Sequence, residues 1–253
     1  MTAEFVAGSL TIPTCNLMKL QLVSLKFPNF VLMYRLDRTA FKAQTFEEAD
    51  NSVAYWLQRP AAERLRAATY LIFSAWNLDP AHPAPLDRTY FKIRHRFMSN
   101  HIFHPDFIDF IKALNQNKVE YLLVGGYAVI LHGYSRTTGD LEIWVKRDRV
   151  NYKKLADAFS QFGMPIFDMT LDKFLLPENY DVFTFGNPPV AIDLMTKVKG
   201  LEFENAFSLA TWHEFEDFRI RVINYEDLMT AKKEAGRFRD LNDMEQLEKG
   251  RKT

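Results

Sequence analysis

Cysteine is almost absent from this 253-residue chain, in which Cys15 is the only one. An internal disulfide needs two cysteines and a cysteine-rich zinc site needs several, so the sequence excludes both. A single cysteine fits the reducing cytoplasm, which is the location that we expect. No apolar run approaches the roughly 20 residues that a membrane-spanning helix requires, so we expect no membrane partner.

An excess of charge of either sign is also missing, because 32 Lys and Arg residues balance 32 Asp and Glu residues. The balance is uneven along the chain, with a net charge of +4 on residues 1–97 and −4 on residues 98–253. General nucleic-acid binders normally present a basic face, so the second part is not predicted to be one. Hydrophobic residues make up 47% of the chain, which is enough for a folded core.

The chain does contain an ordered run of chemistry-bearing residues between positions 121 and 145. Residues 121–124 are large and apolar, as in a buried strand, and Gly125 and Gly126 end this run. Glycines allow close approach of another group, and the N–H groups that open the next predicted helix carry partial positive charge. This turn is therefore a candidate site for a bound phosphate.

Two carboxylates follow on a second predicted strand. Asp140 and Glu142 are separated by one residue, so on a strand their side chains project from the same face. Two ionised carboxylates about 4 Å apart repel by roughly 4 kcal/mol at an effective dielectric constant near 20, so they need a cation. Mg²⁺ suits such ligands, because it binds one or two protein carboxylates and fills its shell with phosphate oxygens and water.

A third carboxylate, Asp193, lies in the strand-like run 189–195, among aliphatic residues that would make it costly to bury unpaired. If this strand lies beside the first, three acids converge. Two ions about 3.5–4 Å apart could then activate an attacking hydroxyl and stabilise a leaving pyrophosphate. Each feature alone also has an ordinary explanation as a turn, a solvated strand face or a strand end. Their order and spacing favour a shared site.

The Gly-Gly turn, the run Asp140-Leu141-Glu142-Ile143 and the later Asp193 together resemble the signature of the DNA polymerase β-type nucleotidyltransferase superfamily. The segments GGYAVILHGYSRTTGDLEIWV and NYEDLMTAKKEAGRFRDLNDMEQL are similar to small bacterial nucleotidyltransferases of the AbiEii-type toxin and minimal (MNT) groups. The resemblance covers about residues 102–248. Close relatives usually carry aspartate at the position of Glu142, whose extra methylene moves the carboxylate outward.

The resemblance implies a polymerase β-like mixed α/β sheet flanked by helices, with an N-terminal helical extension and a C-terminal helical segment that closes over the nucleotide. It implies transfer of a nucleoside monophosphate from an NTP to an acceptor hydroxyl with two Mg²⁺ ions. Asp140 and Glu142 would bind both ions, and Asp193 would bind the catalytic ion and help to deprotonate the acceptor. The turn at Gly125 and Gly126 would hold the β and γ phosphates.

Three cationic residues are further candidates for binding the nucleotide: Arg136, just before the acidic strand, and Lys232 and Lys233, in the C-terminal helical pattern. An exposed loop arginine and a solvated helix face are the alternatives for these residues. Asp240 and Asp243 fit pairing with the basic residues of that region better than catalysis.

The resemblance leaves several functions open. The acceptor is expected to be a protein side chain or a tRNA end, in a toxin–antitoxin or phage-defence system with a partner protein. One alternative is a non-catalytic nucleotide-binding or antitoxin module that works by docking. Another is transfer to a small molecule such as an antibiotic.

The chain divides into three predicted parts. Residues 1–32 have no assigned role, residues 33–97 form a small helical module with a proline-rich linker, and residues 98–253 form the nucleotidyltransferase domain with its C-terminal helices. Residues 33–96 resemble short helical proteins that are often encoded beside such enzymes. A fused docking or regulatory module is therefore one hypothesis, and an ordinary helical extension that covers the sheet is the other.

Periodicity predicts the order of elements in the third part, and the alternation of strands and helices indicates an α/β sheet flanked by helices. We predict helices at 104–116, 127–133, 149–162, 225–235 and 238–248, and strands at 119–124, 140–146, 180–186, 189–195 and 218–223. In the second part, we predict a helix start at residues 45–48 and a helix over 61–74.

Overall fold

The computed structural model describes residues 34–49, 52–76, 78, 102–176 and 180–251. The predictions for residues 1–32 and for the proline-rich linker lie outside these ranges. Within them, the chain is mixed α/β, as predicted, and seven strands form one sheet in the order β1-β4-β5-β3-β2-β7-β6. None of the described helices is long and apolar enough to cross a membrane.

Helices and strands alternate along most of the described chain. In order, they are β1 (Phe41–Gln44), α1 (Phe46–Ala49), α2 (Ser52–Leu57), α3 (Ala61–Trp76), α4 (Pro105–Gln116), β2 (Tyr121–Leu123), α5 (Gly125–Leu131), β3 (Asp140–Val145), α6 (Arg149–Phe162), α7 (Leu171–Leu175), β4 (Val182–Asn187), β5 (Val190–Met195), α8 (Phe203–Leu209), β6 (Thr211–Glu214), β7 (Arg219–Val222), α9 (Tyr225–Ala235) and α10 (Phe238–Arg251). The pairs β3–β5 and β2–β7 are parallel and the other strand pairs are antiparallel, so the sheet is mixed.

The helices α6 and α9 have the bounds that the sequence predicts, because each carries clear signals at both ends. The side chain of Asp148 accepts a hydrogen bond from the backbone of α6, and Gly163 ends that helix at a φ of 73°. Asn224 and Gly236, with a φ of 67°, do the same for α9. A capping side chain satisfies a free N–H group of the first turn, and glycine adopts the left-handed conformation at little cost.

One face of the sheet packs on α4 and α6 and forms the core. Leu141 and Ile143 of β3 are fully buried on this face. Phe159 of α6 contacts Phe110 of α4 and Phe185 of β4, with ring centroids 5.1 and 4.6 Å apart. Full burial of each such side chain contributes about 1.5–3 kcal/mol. Because alternate strand residues face opposite sides, this burial leaves the acidic residues of β3 on the other face.

Residues 34–49 join the same sheet as the C-terminal part. β1 pairs with β4, and the backbone N–H of Leu36 donates to Asp106 Oδ2 at 3.0 Å. The helix α3 reaches the end of β3, because a Cβ on Gly139 would lie 3.1 Å from Leu71 Cδ2. These contacts favour the extension hypothesis over a separately folded docking module. The strand β1 itself was not predicted, because the segment was interpreted as helical.

Candidate active site

Parallel pairing of β3 and β5 puts the three predicted acids on one face of the sheet. Glu142 and Asp193 are directly paired across the two strands, and Asp140 lies two residues before Glu142 on the same face. All three residues are half-buried, so they lie neither in the closed core nor fully in solvent. The structure therefore brings together the carboxylates that sequence order and spacing single out.

The pKa values of two of these carboxyl groups are raised. Burial, followed by repulsion from Glu142, raises the pKa of Asp140 to about 6, although Arg239 and Arg136 act to lower it. Burial, followed by repulsion from Asp140, raises the pKa of Asp193 to about 8, against the hydrogen bond from Thr184. The positive charge of the protein itself is therefore too small to balance the two ionised carboxylates. A bound divalent cation would supply the missing charge.

The glycine turn is in direct contact with Glu142. The N–H of Gly126 donates to Glu142 Oε2 at 2.6 Å. Gly125 has a φ of 59°, and a Cβ at this position would lie 1.7 Å from the same oxygen. The carboxylate of Glu142 thus occupies the opening of α5, where the sequence predicts a phosphate.

Arg136 also lies at this turn. Its Nη2 would be 2.8 Å from a Cβ on Gly126, and its Nε lies 3.2 Å from Asp243 Oδ1. Arg239 approaches from the C-terminal segment and donates through Nη2 to the carbonyl oxygen of Thr137 at 3.0 Å. Arg239 was not predicted as a site residue, because no local pattern distinguishes it from the nearby Arg237.

The two lysines that were predicted to bind the nucleotide lie in other surroundings. Lys232 is only 5% exposed, and its Nζ lies 2.8 Å from both Asp240 Oδ1 and Asp243 Oδ2. Its amino group is therefore held by two buried carboxylates, which gives it a structural role in place of the expected contact with nucleotide. Lys233 is exposed and lines a groove between α9 and α10. The pairing expected for Asp240 and Asp243 is confirmed.

No family model matches the chain, and no curated protein is significantly similar to it.

The carboxylate oxygens of the acidic site are suitable ligands for a divalent cation, but the three side chains do not point to one common position. In the described part of the chain, no group of three His, Cys, Asp or Glu side chains is placed to hold a metal ion. Glu142 is turned toward Gly126, and Asp140 therefore repels Asp193 more strongly than Glu142 does. Two carboxylates with raised pKa values are oxygen ligands of the kind that Mg²⁺ prefers, and rotation of Glu142 would supply the third.

Gly125→Ala is expected to destabilise the protein more than Gly236→Ala does. Both residues have a left-handed backbone, with φ of 59° and 67°, so alanine costs about 1–2 kcal/mol at each from the backbone alone. At Gly125 the new Cβ also displaces Glu142 from its hydrogen bond, worth about 1.5–3 kcal/mol for a charged partner. At Gly236 the nearest atom is 3.7 Å away. Urea unfolding of both variants measures the difference, and equal losses would contradict the contact of Glu142 with the turn.

The metal-free protein is expected to lose stability as the pH rises from about 4 to about 8. Because the pKa values of Asp140 and Asp193 are raised to about 6 and about 8, the native state holds protons that the unfolded chain releases. Urea unfolding at pH 5.5 and pH 8.5 in the presence of a chelator measures the loss. Asp193→Asn should flatten this dependence, and an unchanged slope in the variant would show that the buried acids do not cause it.

Proposed function

We propose that the chain is a Mg²⁺-dependent nucleotidyltransferase with a polymerase β-like fold. The reaction moves a nucleoside monophosphate from an NTP to an acceptor hydroxyl. The acceptor oxygen forms a bond to the α-phosphorus, the bond from that phosphorus to the bridging oxygen breaks, and pyrophosphate leaves. The observation that carries the proposal is the convergence of Asp140, Glu142 and Asp193 on one sheet face beside the glycine turn.

Each residue of the site has a proposed role. Asp140 and Asp193 would hold the metal ions, together with Glu142 once it leaves Gly126. When bound, the ions supply positive charge that neutralises the triphosphate and the attacking oxygen. Asp193 would accept the proton of the acceptor hydroxyl in its ionised form, which bound cations would favour. The guanidinium of Arg136, beside the turn, would attract the phosphates.

The proposal extends to the acceptor through the resemblance alone. A protein side chain or a tRNA end is the proposed acceptor, in a cytoplasmic toxin–antitoxin or phage-defence system. Positioning and charge neutralisation would supply most of the rate enhancement, because phosphoryl transfer asks for little covalent chemistry from the protein.

A docking function is the second candidate, and the surface of α2 and α3 favours it. Large apolar side chains are exposed there, with exposed fractions between 47% and 70% for Val53, Leu57, Leu65, Ile72 and Trp76. Leu65, Ile72 and Trp76 recur at helical spacing and share one face of α3, and an exposed apolar face often marks a protein interface. The occupant that we propose is the partner protein of a toxin–antitoxin pair. This function does not require the acids to be intact.

A transfer assay separates these candidates. The full chain is incubated with each of the four labelled NTPs, Mg²⁺ and cell extract, and label is measured in the protein, RNA and low-mass fractions. Label in the protein or RNA fraction that disappears in Asp140→Ala supports the enzyme, and label in the low-mass fraction supports a small-molecule acceptor. Absence of label with all four NTPs, combined with capture of a protein partner that Ile72→Asp abolishes, would favour docking.

A further inference from the structure

A row of polar side chains crosses the acidic face of the sheet and begins on the N-terminal strand. The Nε2 group of Gln44 on β1 donates to Thr184 Oγ1 on β4 at 2.8 Å. The hydroxyl of Thr184 in turn donates to Asp193 Oδ1 on β5 at 2.6 Å. Glu142 on β3 is the direct neighbour of Asp193. Four strands therefore contribute to one continuous polar line.

The strand register explains why these side chains meet. Thr184 and Asp193 are directly paired across β4 and β5, so their side chains lie side by side on one face. Lys42 is the residue paired with Thr184 across β1 and β4, which makes Gln44 the diagonal neighbour of Thr184 on that face. A shift of β1 by one residue would turn Gln44 to the opposite face and break the line.

Gln44 fixes the direction of the hydrogen bonds. Its amide nitrogen is only a donor, so Thr184 Oγ1 must accept this bond and has its single proton left for Asp193. Gln44 is buried, and it is one of few polar side chains buried in the described chain. A buried amide that meets no partner is costly, so a glutamine here calls for a specific partner.

We propose that Gln44 is a positioning residue of the active site, which acts through Thr184 to orient the carboxylate of Asp193. The inference rests on the proposed function, and it assigns part of residues 33–97 to the chemistry of the C-terminal domain. Thr184 holds one oxygen of Asp193, which fixes the orientation of the carboxylate. Partners of this kind typically change metal affinity or activity by about 10–100-fold when they are removed.

Kinetics of three variants test the role. Gln44→Met keeps the length of the side chain and removes the donor, so kcat for transfer should fall about tenfold with little change in the KM for the NTP. Gln44→Glu is closer to glutamine in shape, but its carboxylate can only accept hydrogen bonds. It would compete with Asp193 for the proton of Thr184, so kcat should fall further than in Gln44→Met. Glu47→Gln, at an exposed position of α1 three residues after Gln44, is the control and should leave kcat unchanged.

A double-mutant cycle tests the hydrogen bonds from Gln44 through Thr184 by stability, without the need for an activity assay. Gln44→Met, Thr184→Val and the double variant are compared by urea unfolding of the metal-free protein, and Thr184→Ser is included because it retains the hydroxyl. We expect the two substitutions to be non-additive and Thr184→Ser to keep kcat within about threefold of the wild type. Additive losses of stability, or equal kcat for Gln44→Met and the wild type, would overturn the inference while the proposed function stands. A wild-type protein without transfer activity would overturn both.

Discussion

Asp193→Asn is expected to reduce nucleotidyl transfer by about 10²–10⁴-fold while the protein stays folded. The substitution keeps the shape of the side chain but removes the base that would accept the proton of the hydroxyl, and a positioned base contributes about that factor. It also removes one charged ligand of the proposed metal site. Initial rates of label transfer at saturating NTP measure the change.

The stability of this variant separates a chemical defect from misfolding. Burial and the neighbouring Asp140 raise the pKa of Asp193, so loss of its charge relieves repulsion in the metal-free protein. We therefore expect Asp193→Asn to be at least as stable as the wild type at pH 8 without metal. Asp168→Asn, which changes an exposed carboxylate elsewhere, is the control and should transfer at the wild-type rate. Wild-type transfer by Asp193→Asn would remove it from the proposed chemistry.

The sequence could predict that Asp140 and Glu142 share a face, because strand periodicity determines it. Alternate residues of a strand share a face, so Asp140 and Glu142 were placed correctly, and only the pairing of β5 beside β3 remained an assumption. Helices α6 and α9 were predicted with their observed bounds because their capping residues are local signals. These features depend on residues that are close together in the chain.

Several short elements and the long-range contacts could not be predicted. The elements β1, α7, α8 and β6 have only four to seven residues, which is too short for a clear periodicity. The strand β1 forms because it pairs with β4 across about 140 residues, and no local pattern indicates that contact.

The orientation of individual charged side chains was equally inaccessible from the sequence. Whether Glu142 points to a metal ion or to Gly126 depends on its rotamer. The burial of Lys232 depends on how α10 packs on α9. Both are properties of the folded chain, and both changed the role expected for a residue of the site.

Lys232→Met is expected to destabilise the protein by about 3–5 kcal/mol. The Nζ of Lys232 is buried between Asp240 and Asp243, and its removal leaves two buried carboxylates without their shared cation. Breaking a buried ion pair by removing one partner typically costs this much, whereas changes at exposed sites usually stay within about 0.5 kcal/mol. Lys233→Met, at the exposed neighbouring position, is the matched control. Urea unfolding at pH 7 measures both.

The pH dependence of this loss distinguishes an electrostatic cause from a packing defect. Burial acts to raise the pKa of Asp240, but hydrogen bonds from Arg237 and Lys232 outweigh it and hold this pKa below its ordinary value. The stabilisation is therefore present at neutral pH and lost as the pH falls below about 4. Without Lys232 the carboxylate of Asp240 protonates more readily, so the difference between Lys232→Met and the wild type should shrink at pH 4. A loss of stability equal to that of Lys233→Met would contradict the role of Lys232 in holding α9 and α10 together.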